Sequence, residues 1–281
     1  MTTALLLAVL LAGGGVLIVL SRQPGRLGRF GTPAAFGGLL LAVWQLAVTG
    51  YGVPAVLLPP PSAIGRAVVT HTPMLAGDFV QTVLRAVIPG WVLGNAAGLL
   101  AALALDRSVF LRRGIMPLGA LVSVMPIVGI APILVMWFGF DWQSKAAVVV
   151  VMTFFPMLVN AVAGLASAGV MERDLMRSYG ASGPATLRRL QLPAAIPFIF
   201  TALKLNATLA LIGAIVAEFF GTPILGMGFR ISTEVARMNL DVVWAEIAMA
   251  SLTGTLSVAL LAMAERRLAF WHPAFRTQET A

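Results

Sequence analysis

The sequence lacks cysteine and is poor in charged side chains. The absence of cysteine from the 281 residues excludes disulfides, thiol catalysis and cysteine-ligated metals. Two histidines are too few to indicate a metal cluster. Charged residues make up 11% of the chain, against about 25% in soluble domains, so most of its surface does not face water. Neither of the two lysines follows a glycine, so the Gly-Lys pair of a phosphate-binding Walker loop is missing.

Apolar residues, at 59% of the chain, dominate the composition instead. They form seven stretches long enough to cross a bilayer, which takes about 20 and sometimes as few as about 17 helical residues. The stretches cover residues 4–20, 34–50, 79–105, 115–138, 146–168, 194–220 and 242–264. We therefore predict an all-α membrane protein with about seven transmembrane helices.

The basic residues are distributed unevenly between these stretches. Thirteen of the 19 follow the first, third, fifth and seventh stretches, and only four lie on the opposite side. Basic residues are enriched on the cytoplasmic side of membrane proteins, so the bias predicts an N-terminus outside and a C-terminus in the cytoplasm. No charged side chain precedes the first stretch, whereas a signal peptide has a basic region there. We therefore expect a retained anchor.

Prolines and a few polar side chains interrupt the predicted spans. Met125 and Pro126 lie in the fourth stretch, which we expect to be bent or broken, because proline frees a carbonyl that lipid cannot satisfy. Two interpretations explain this proline equally well. It lines a translocation pathway, or it forms a kink that improves packing. Asn160, Asn206 and Glu218 are further candidates for the pathway, since polar residues are costly within a bilayer.

Residues 171–197 form the only long polar, arginine-rich segment between two apolar stretches. Gly180 is expected to end a first helix, because glycine adopts the positive φ of a helix C-cap. Ser182 and Pro184 are start signals for a second short helix, which the Leu-Pro pair at 192–193 is expected to end. The pattern predicts a cytoplasmic helix–turn–helix elbow. Two interpretations remain open, an amphipathic connector on the headgroups and a helix that docks into a groove of a soluble protein.

This elbow resembles the cytoplasmic loop of permease subunits of ATP-binding cassette (ABC) importers, which has the form E-A-A-x3-G-x9-I-x-L-P. The glycine and the Leu-Pro pair have the spacing of the motif, whereas D-L-M replaces E-A-A, keeping the acid and losing both alanines. The resemblance implies contact with an ATPase for Asp174, Leu175, Met176, Gly180, Leu190, Leu192 and Pro193. Segments at 57–68, 131–139 and 201–221 are similar to permeases for sulfonate, taurine and nitrate uptake, and the resemblance covers residues 39–276.

The resemblance implies a permease domain over residues 34–281 with a cytoplasmic coupling loop at 171–193. Residues 1–33 would form an extra N-terminal transmembrane helix and a basic cytoplasmic linker. The implied partners are a cytoplasmic ABC ATPase dimer, which binds the ATP, a second permease subunit, identical or related, and an extracytoplasmic solute-binding protein. The chain itself would be a non-enzymatic component of the cell membrane without a cofactor.

The resemblance also implies a small solute, namely a sulfonate, taurine, nitrate or a vitamin-like heterocycle. Residues 269–276 are similar to permeases assigned to riboflavin or pyrimidine-precursor uptake. The alternative function is that of a stand-alone secondary transporter or channel. Such carriers often have repeated halves and ionisable residues at the bilayer midplane, and neither feature is clear in this sequence.

Overall fold

The computed structural model describes residues 2–23, 25–123, 125–221 and 224–271. These residues form helices and no strand, as expected for a chain whose backbone must satisfy its hydrogen bonds without water. The helices are α1 (Thr2–Ser21), α2 (Arg26–Gly50), α3 (Pro61–Thr70), α4 (Thr72–Asp106), α5 (Val109–Ser123), α6 (Ile127–Phe138), α7 (Trp142–Ala166), α8 (Val170–Ser178), α9 (Gly183–Glu218), α10 (Met227–Ala236) and α11 (Leu240–Leu268).

Six of these helices, α1, α2, α4, α7, α9 and α11, are long and apolar enough to cross a membrane, and α6 is a shorter apolar helix. The prediction of an all-α membrane protein is thereby confirmed. The fourth predicted span consists of two helices, because α5 ends at Ser123 and α6 begins at Ile127. Pro126 directly precedes α6 in an extended conformation (φ −68°, ψ 118°), in agreement with the expected break.

The sixth predicted span begins earlier than the sequence indicated. The Leu-Pro pair at 192–193 does not end a helix, because α9 continues from Gly183 to Glu218. Residues Leu187–Gln191 are π-helical, and the N–H of Leu192 bonds to the carbonyl of Leu187, five residues back. The hydrogen-bond ladder thus changes partner just before the proline, and the helix passes it without ending.

The chain forms two compact units, and the first comprises the described parts of Met1–Leu75 and Ile231–Ala248. Within it, α1 and α2 form a hairpin in which the Thr2 hydroxyl donates to the carbonyl of Gly50 at 3.1 Å. The ring of Trp44 packs edge-on against Trp244, with 5.1 Å between the centroids. The hairpin therefore joins the early part of α11 through an aromatic contact.

The second unit comprises the described parts of Ala76–Arg230 and Met249–Ala281. Three glycines of α4, one helical turn apart at positions 90, 94 and 98, face α7 at close range. A Cβ added to Gly94 would lie 2.9 Å from the carbonyl oxygen of Val150. Small residues at this spacing let two membrane helices approach closely. Buried alanines such as Ala202, Ala210 and Ala214 likewise give α9 a surface of small side chains within the bundle.

Candidate functional site

The elbow joins α7 to α9 through the short helix α8, in which no residue is buried. Gly180 ends this segment with a φ of +70°, a value that favours glycine. The N–H of Ala181 donates to the carbonyl of Met176 at 2.9 Å, and that of Gly180 donates to Arg177 at 2.8 Å. The predicted positive φ of Gly180 is confirmed, and it turns the chain towards α9.

An apolar stripe, consisting of Met171, Leu175 and Tyr179, runs along one face of the elbow. The three side chains are 84%, 55% and 81% exposed, respectively, although α8 is otherwise mainly polar. Their spacing of four residues places them on one side of a helix. The sequence analysis included Leu175 but missed Met171 and Tyr179, which the i, i+4, i+8 spacing would have revealed.

Arg173 fixes the base of the elbow. Its guanidinium donates to the carbonyl of Leu165 at 2.8 Å and to that of Ala168 at 3.1 Å, at the end of α7. These bonds satisfy carbonyls that the end of a helix leaves without a partner. The apolar stripe is therefore presented from a segment that is anchored to the membrane helices.

The other residues assigned to ATPase contact lie off the apolar stripe. Asp174 is exposed and pairs with Arg177 at 3.5 Å, while Met176 is half-buried. Leu190, Leu192 and Pro193 are half-buried in the first turns of α9. Leu192 packs against a buried cluster that contains Leu165, Ala195 and Ala202. It therefore fixes the lower part of α9 on the helix bundle.

Of the pathway candidates, Met125 borders a small apolar cavity. Met125 and Pro126 are exposed at the start of α6, and Met125 lines a cavity of about 120 Å³ together with Met152, Phe155 and Pro156. Asn160 lies one turn further along α7, where its side-chain amide donates to the carbonyl of Pro156 at 2.8 Å. The structure thus brings these candidates into one region of the second unit.

Asn206 lies in a separate, fully buried network between α4, α7 and α9. Its side-chain amide donates to Oδ1 of Asn95 at 2.7 Å and to the carbonyl of Thr153 at 2.8 Å. Asn95 in turn donates to the carbonyl of Trp91 at 2.7 Å. In this conformation Asn206 therefore cross-links three helices and is closed off from open space.

Glu218, the last pathway candidate, belongs to a buried group that we name the carboxylate clamp, formed by Asp78, Thr82 and Glu218. The clamp accepts the three successive backbone N–H groups of residues 226–228. Asp78 takes the first at 2.7 Å, the Thr82 hydroxyl takes the second at 2.8 Å and Glu218 takes the third at 2.7 Å. The Thr82 hydroxyl also donates to Glu218 at 2.7 Å. The clamp thus satisfies amides that the start of α10 would otherwise leave without partners.

Arg230 on α10 joins the clamp by an ion pair, in which its Nε donates to Oδ2 of Asp78 at 2.9 Å. Both side chains are largely buried, and such a charge is tolerated when it is paired and hydrogen-bonded. Sequence reasoning found Glu218 but missed Asp78 and Thr82. These two lie more than 130 residues before Glu218 in the chain, and no local spacing links them.

Comparison with known proteins gives a family for this chain. Residues 94–270 match the family described as binding-protein-dependent transport system inner membrane component. A probable ABC transporter permease protein of Haemophilus influenzae is 31% identical over 76% of this chain and 87% of that protein. The formylaminopyrimidine transport permease protein ThiX of Halalkalibacterium halodurans is 30% identical over 85% and 95%, respectively. The riboflavin transport system permease protein RibX of Chloroflexus aurantiacus is 29% identical over 83% and 87%.

Permeases named for aliphatic sulfonates and for taurine are similar at lower identity, so the resemblance seen in the sequence is confirmed. The matched family is a transport component of the inner membrane and not an enzyme. The apolar helices of the chain agree with that location. The matches cover most of the length of these ABC permease relatives. This chain therefore belongs to the family of binding-protein-dependent transport system inner membrane components, the permease subunits of ABC importers.

Proposed function

We propose that this chain is one of two permease subunits that form the pathway of an importer, driven by a separate cytoplasmic ABC ATPase dimer and supplied by an extracytoplasmic solute-binding protein. The single observation that carries the proposal is the exposed apolar stripe on the anchored elbow. Among the described residues, α8 is a short helix that joins two membrane helices and buries none of its own side chains.

The apolar stripe suits a groove on a soluble partner. Burial of a large apolar side chain contributes roughly 1.5–3 kcal/mol, and side chains at four-residue spacing are the usual anchors of a helix that lies in a groove. Arg173 holds the base of the elbow to the end of α7, so force applied to the stripe reaches the membrane helices. Gly180 fixes the direction in which the chain leaves α8.

The distribution of basic residues supports a cytoplasmic position for the elbow. Thirteen of 19 basic residues lie on the elbow's side of the predicted topology, which puts the N-terminus outside and the C-terminus inside. Within Thr2–Ser21 no residue is buried. We retain residues 1–33 as an additional helix with its linker and residues 34–281 as the permease domain, with the boundary inside α2, which begins at Arg26.

A binding assay tests the stripe. In detergent, the double variant Leu175→Ser and Tyr179→Ser is expected to retain the cognate ATPase about 100-fold less tightly, since two truncated anchor residues together are worth about 3 kcal/mol. Val170→Ser is the matched control. Val170 is also apolar and 76% exposed, but it lies roughly 140° around α8 from Leu175. Unchanged ATPase retention in the double variant would show that the elbow only rests on the headgroups.

The alternative of a stand-alone carrier is tested by transport. Proteoliposomes are prepared with this chain alone and with the ATPase and the binding protein added. The proposal expects solute accumulation only in the complete system and only with ATP. Accumulation by the chain alone, without the ATPase, would instead establish a secondary transporter or channel.

For the solute we propose a small heterocycle of the pyrimidine or flavin type, with sulfonates and taurine as the second candidates. Relatives named for formylaminopyrimidine and riboflavin are 30% and 29% identical to this chain. The cavity beside Met125 is lined by apolar residues, including Met152 and Phe155, and by no charged side chain among those described. An uncharged ring suits such a lining better than a sulfonate does.

The resemblance at residues 269–276 points to the same class of solute, although only residues 269–271 of that segment belong to the described part. The decisive measurement is the ligand of the cognate solute-binding protein, determined by calorimetric titration with pyrimidine precursors, flavins, taurine and alkyl sulfonates. Selective binding of taurine or a sulfonate would replace the heterocycle in the proposal and leave the ATPase-driven mechanism intact.

A further inference from the structure

A cavity of about 380 Å³, lined in part by charged side chains, lies between the end of α4 and the elbow. We name it the basic pocket. Its lining includes Asp106, Arg107, Arg173, Arg177, Leu187 and Gln191. Three guanidinium groups face one carboxylate in this pocket, so its net charge is positive. All of these residues belong to the second compact unit.

The hydrogen bonds within the basic pocket leave its positive charge available. The amide of Gln191 donates to Oδ2 of Asp106 at 3.3 Å, which occupies the single carboxylate. Arg173 donates to two backbone carbonyls, which carry no net charge. Among the described residues, the ion-pair partner of Arg177 is the exposed Asp174, at 3.5 Å. Within the described part of the chain, Arg107 has neither an ion pair nor a side-chain hydrogen bond.

The basic pocket and the apolar stripe lie on different sides of α8. Arg173 and Arg177 are spaced four residues apart, like Met171 and Leu175, but two residues further along the helix. Two residues correspond to about 200° around a helix, so the arginines point away from the stripe. A partner on the stripe therefore leaves the pocket open for a second ligand.

The basic pocket lies at the end of a helix that is long and apolar enough to cross a membrane, which is where lipid headgroups are expected. Asp106 is the last residue of the apolar helix α4, and the first turns of α9 provide the opposite wall. Leu187 adds an apolar contact at the same place. Basic pockets between transmembrane helices on the cytoplasmic side bind anionic headgroups, and guanidinium groups bind phosphate oxygens in pairs.

We propose that the basic pocket binds the phosphate group of an anionic membrane lipid, with Arg107 and Arg177 as its ligands. This site goes beyond the proposed transport function. It requires no particular solute and does not involve the contacts of the apolar stripe. A lipid bound there would brace the elbow against the end of α4, on the side opposite the proposed ATPase contact.

Native mass spectrometry of the full-length chain in detergent tests the site, with phosphatidylglycerol and phosphatidylcholine as probes. The wild type is expected to retain phosphatidylglycerol in preference to phosphatidylcholine. The double variant Arg107→Gln and Arg177→Gln is expected to bind phosphatidylglycerol roughly 25-fold more weakly, because each arginine near a headgroup contributes about fivefold. The lysine pair Arg107→Lys and Arg177→Lys keeps both charges but cannot form the paired guanidinium contact, so it is expected to bind more weakly than the wild type and more tightly than the glutamine pair.

The matched control is the double variant Arg188→Gln and Arg189→Gln, which removes two exposed arginines that do not line the basic pocket. An equal loss of lipid in this control, or unchanged binding in the Arg107 and Arg177 glutamine pair, would overturn the proposal. Chromatography and circular dichroism confirm that each variant is folded.

Two further measurements separate other sources of negative charge. Inorganic phosphate at millimolar concentration is expected to leave the bound lipid in place. Displacement of the lipid by this phosphate would assign the site to a free anion. Addition of the ATPase is likewise expected to leave the lipid bound, and its release would show that an acidic side chain of the partner fills the pocket. Either result overturns the lipid assignment, while the ATPase assay on the apolar stripe is unaffected.

Discussion

Replacement of Thr82 by valine removes one hydroxyl from the carboxylate clamp and almost no volume. In the wild type this hydroxyl accepts the N–H of Met227 at 2.8 Å and donates to Glu218 at 2.7 Å. Thr82 and Glu218 are both buried, so water does not readily replace the lost partner. The variant therefore leaves one buried backbone amide and one carboxylate oxygen each short of a hydrogen bond.

The expected loss of stability in the clamp follows from the backbone amide and the carboxylate oxygen that each lose a hydrogen bond. A buried polar group without its partner costs roughly 1–3 kcal/mol, so the clamp is expected to weaken by about 3 kcal/mol in the Thr82→Val protein. Since 1.4 kcal/mol corresponds to a factor of ten, the start of α10 should open roughly 100-fold more often. Thr82→Ser keeps the hydroxyl and loses one methyl group, which costs about 1 kcal/mol.

Hydrogen–deuterium exchange of peptides from residues 224–236, followed by mass spectrometry in detergent, measures this opening. Exchange in the Thr82→Val protein is expected to exceed that in the Thr82→Ser protein by more than tenfold, while peptides from α1 stay unchanged. Exchange rates of Thr82→Val and Thr82→Ser within a factor of about three would refute the view that the clamp holds α10.

Two further substitutions test the elbow and the helix packing. Gly180→Val should reduce ATPase stimulation while the chain still inserts in the membrane, because a φ of +70° is strained for a β-branched residue. ATPase stimulation is measured with Gly180→Asn as the control. Equal stimulation by the valine and asparagine variants would contradict the docking role. Gly94→Ala should lower the thermal stability, because the added methyl group would collide with both the Thr153 hydroxyl and the Val150 carbonyl, and two such contacts place the overpacking cost towards the upper end of roughly 1–3 kcal/mol, above the gain in helix propensity of about 1 kcal/mol. Gly77→Ala, on the same helix but with open space around it, should not lower the melting temperature, and an equal fall would contradict the packing argument.

Local features of the chain were predictable because they depend on neighbouring residues. The apolar stretches identified the long helices, and Gly180 identified the end of α8. Pro126 correctly indicated a broken fourth span. The Leu-Pro pair at 192–193 was misleading, since a proline is compatible with a helix whose hydrogen bonds shift by one residue just before it.

Features that depend on distant residues were not predictable in this way. The carboxylate clamp joins Asp78 and Thr82 to Glu218, and their contact is set by how closely α4, α7 and α9 pack. The glycines at 90, 94 and 98 govern part of that packing, and their four-residue spacing is visible in the sequence. Such spacing indicates a close helix contact but does not identify the partner helix, so the clamp required the structure.

The continuity of α9 has a mechanical consequence. Its 36 residues run without interruption from Gly183, next to the elbow, to Glu218 in the clamp. At 1.5 Å per residue the helix is about 54 Å long, and a tilt of about 10° at one end would move the other by roughly 9 Å. The helix is thus a lever with the proposed ATPase contact near one end and the buried carboxylate at the other. A small displacement of the elbow would pull Glu218 away from the amides that it holds.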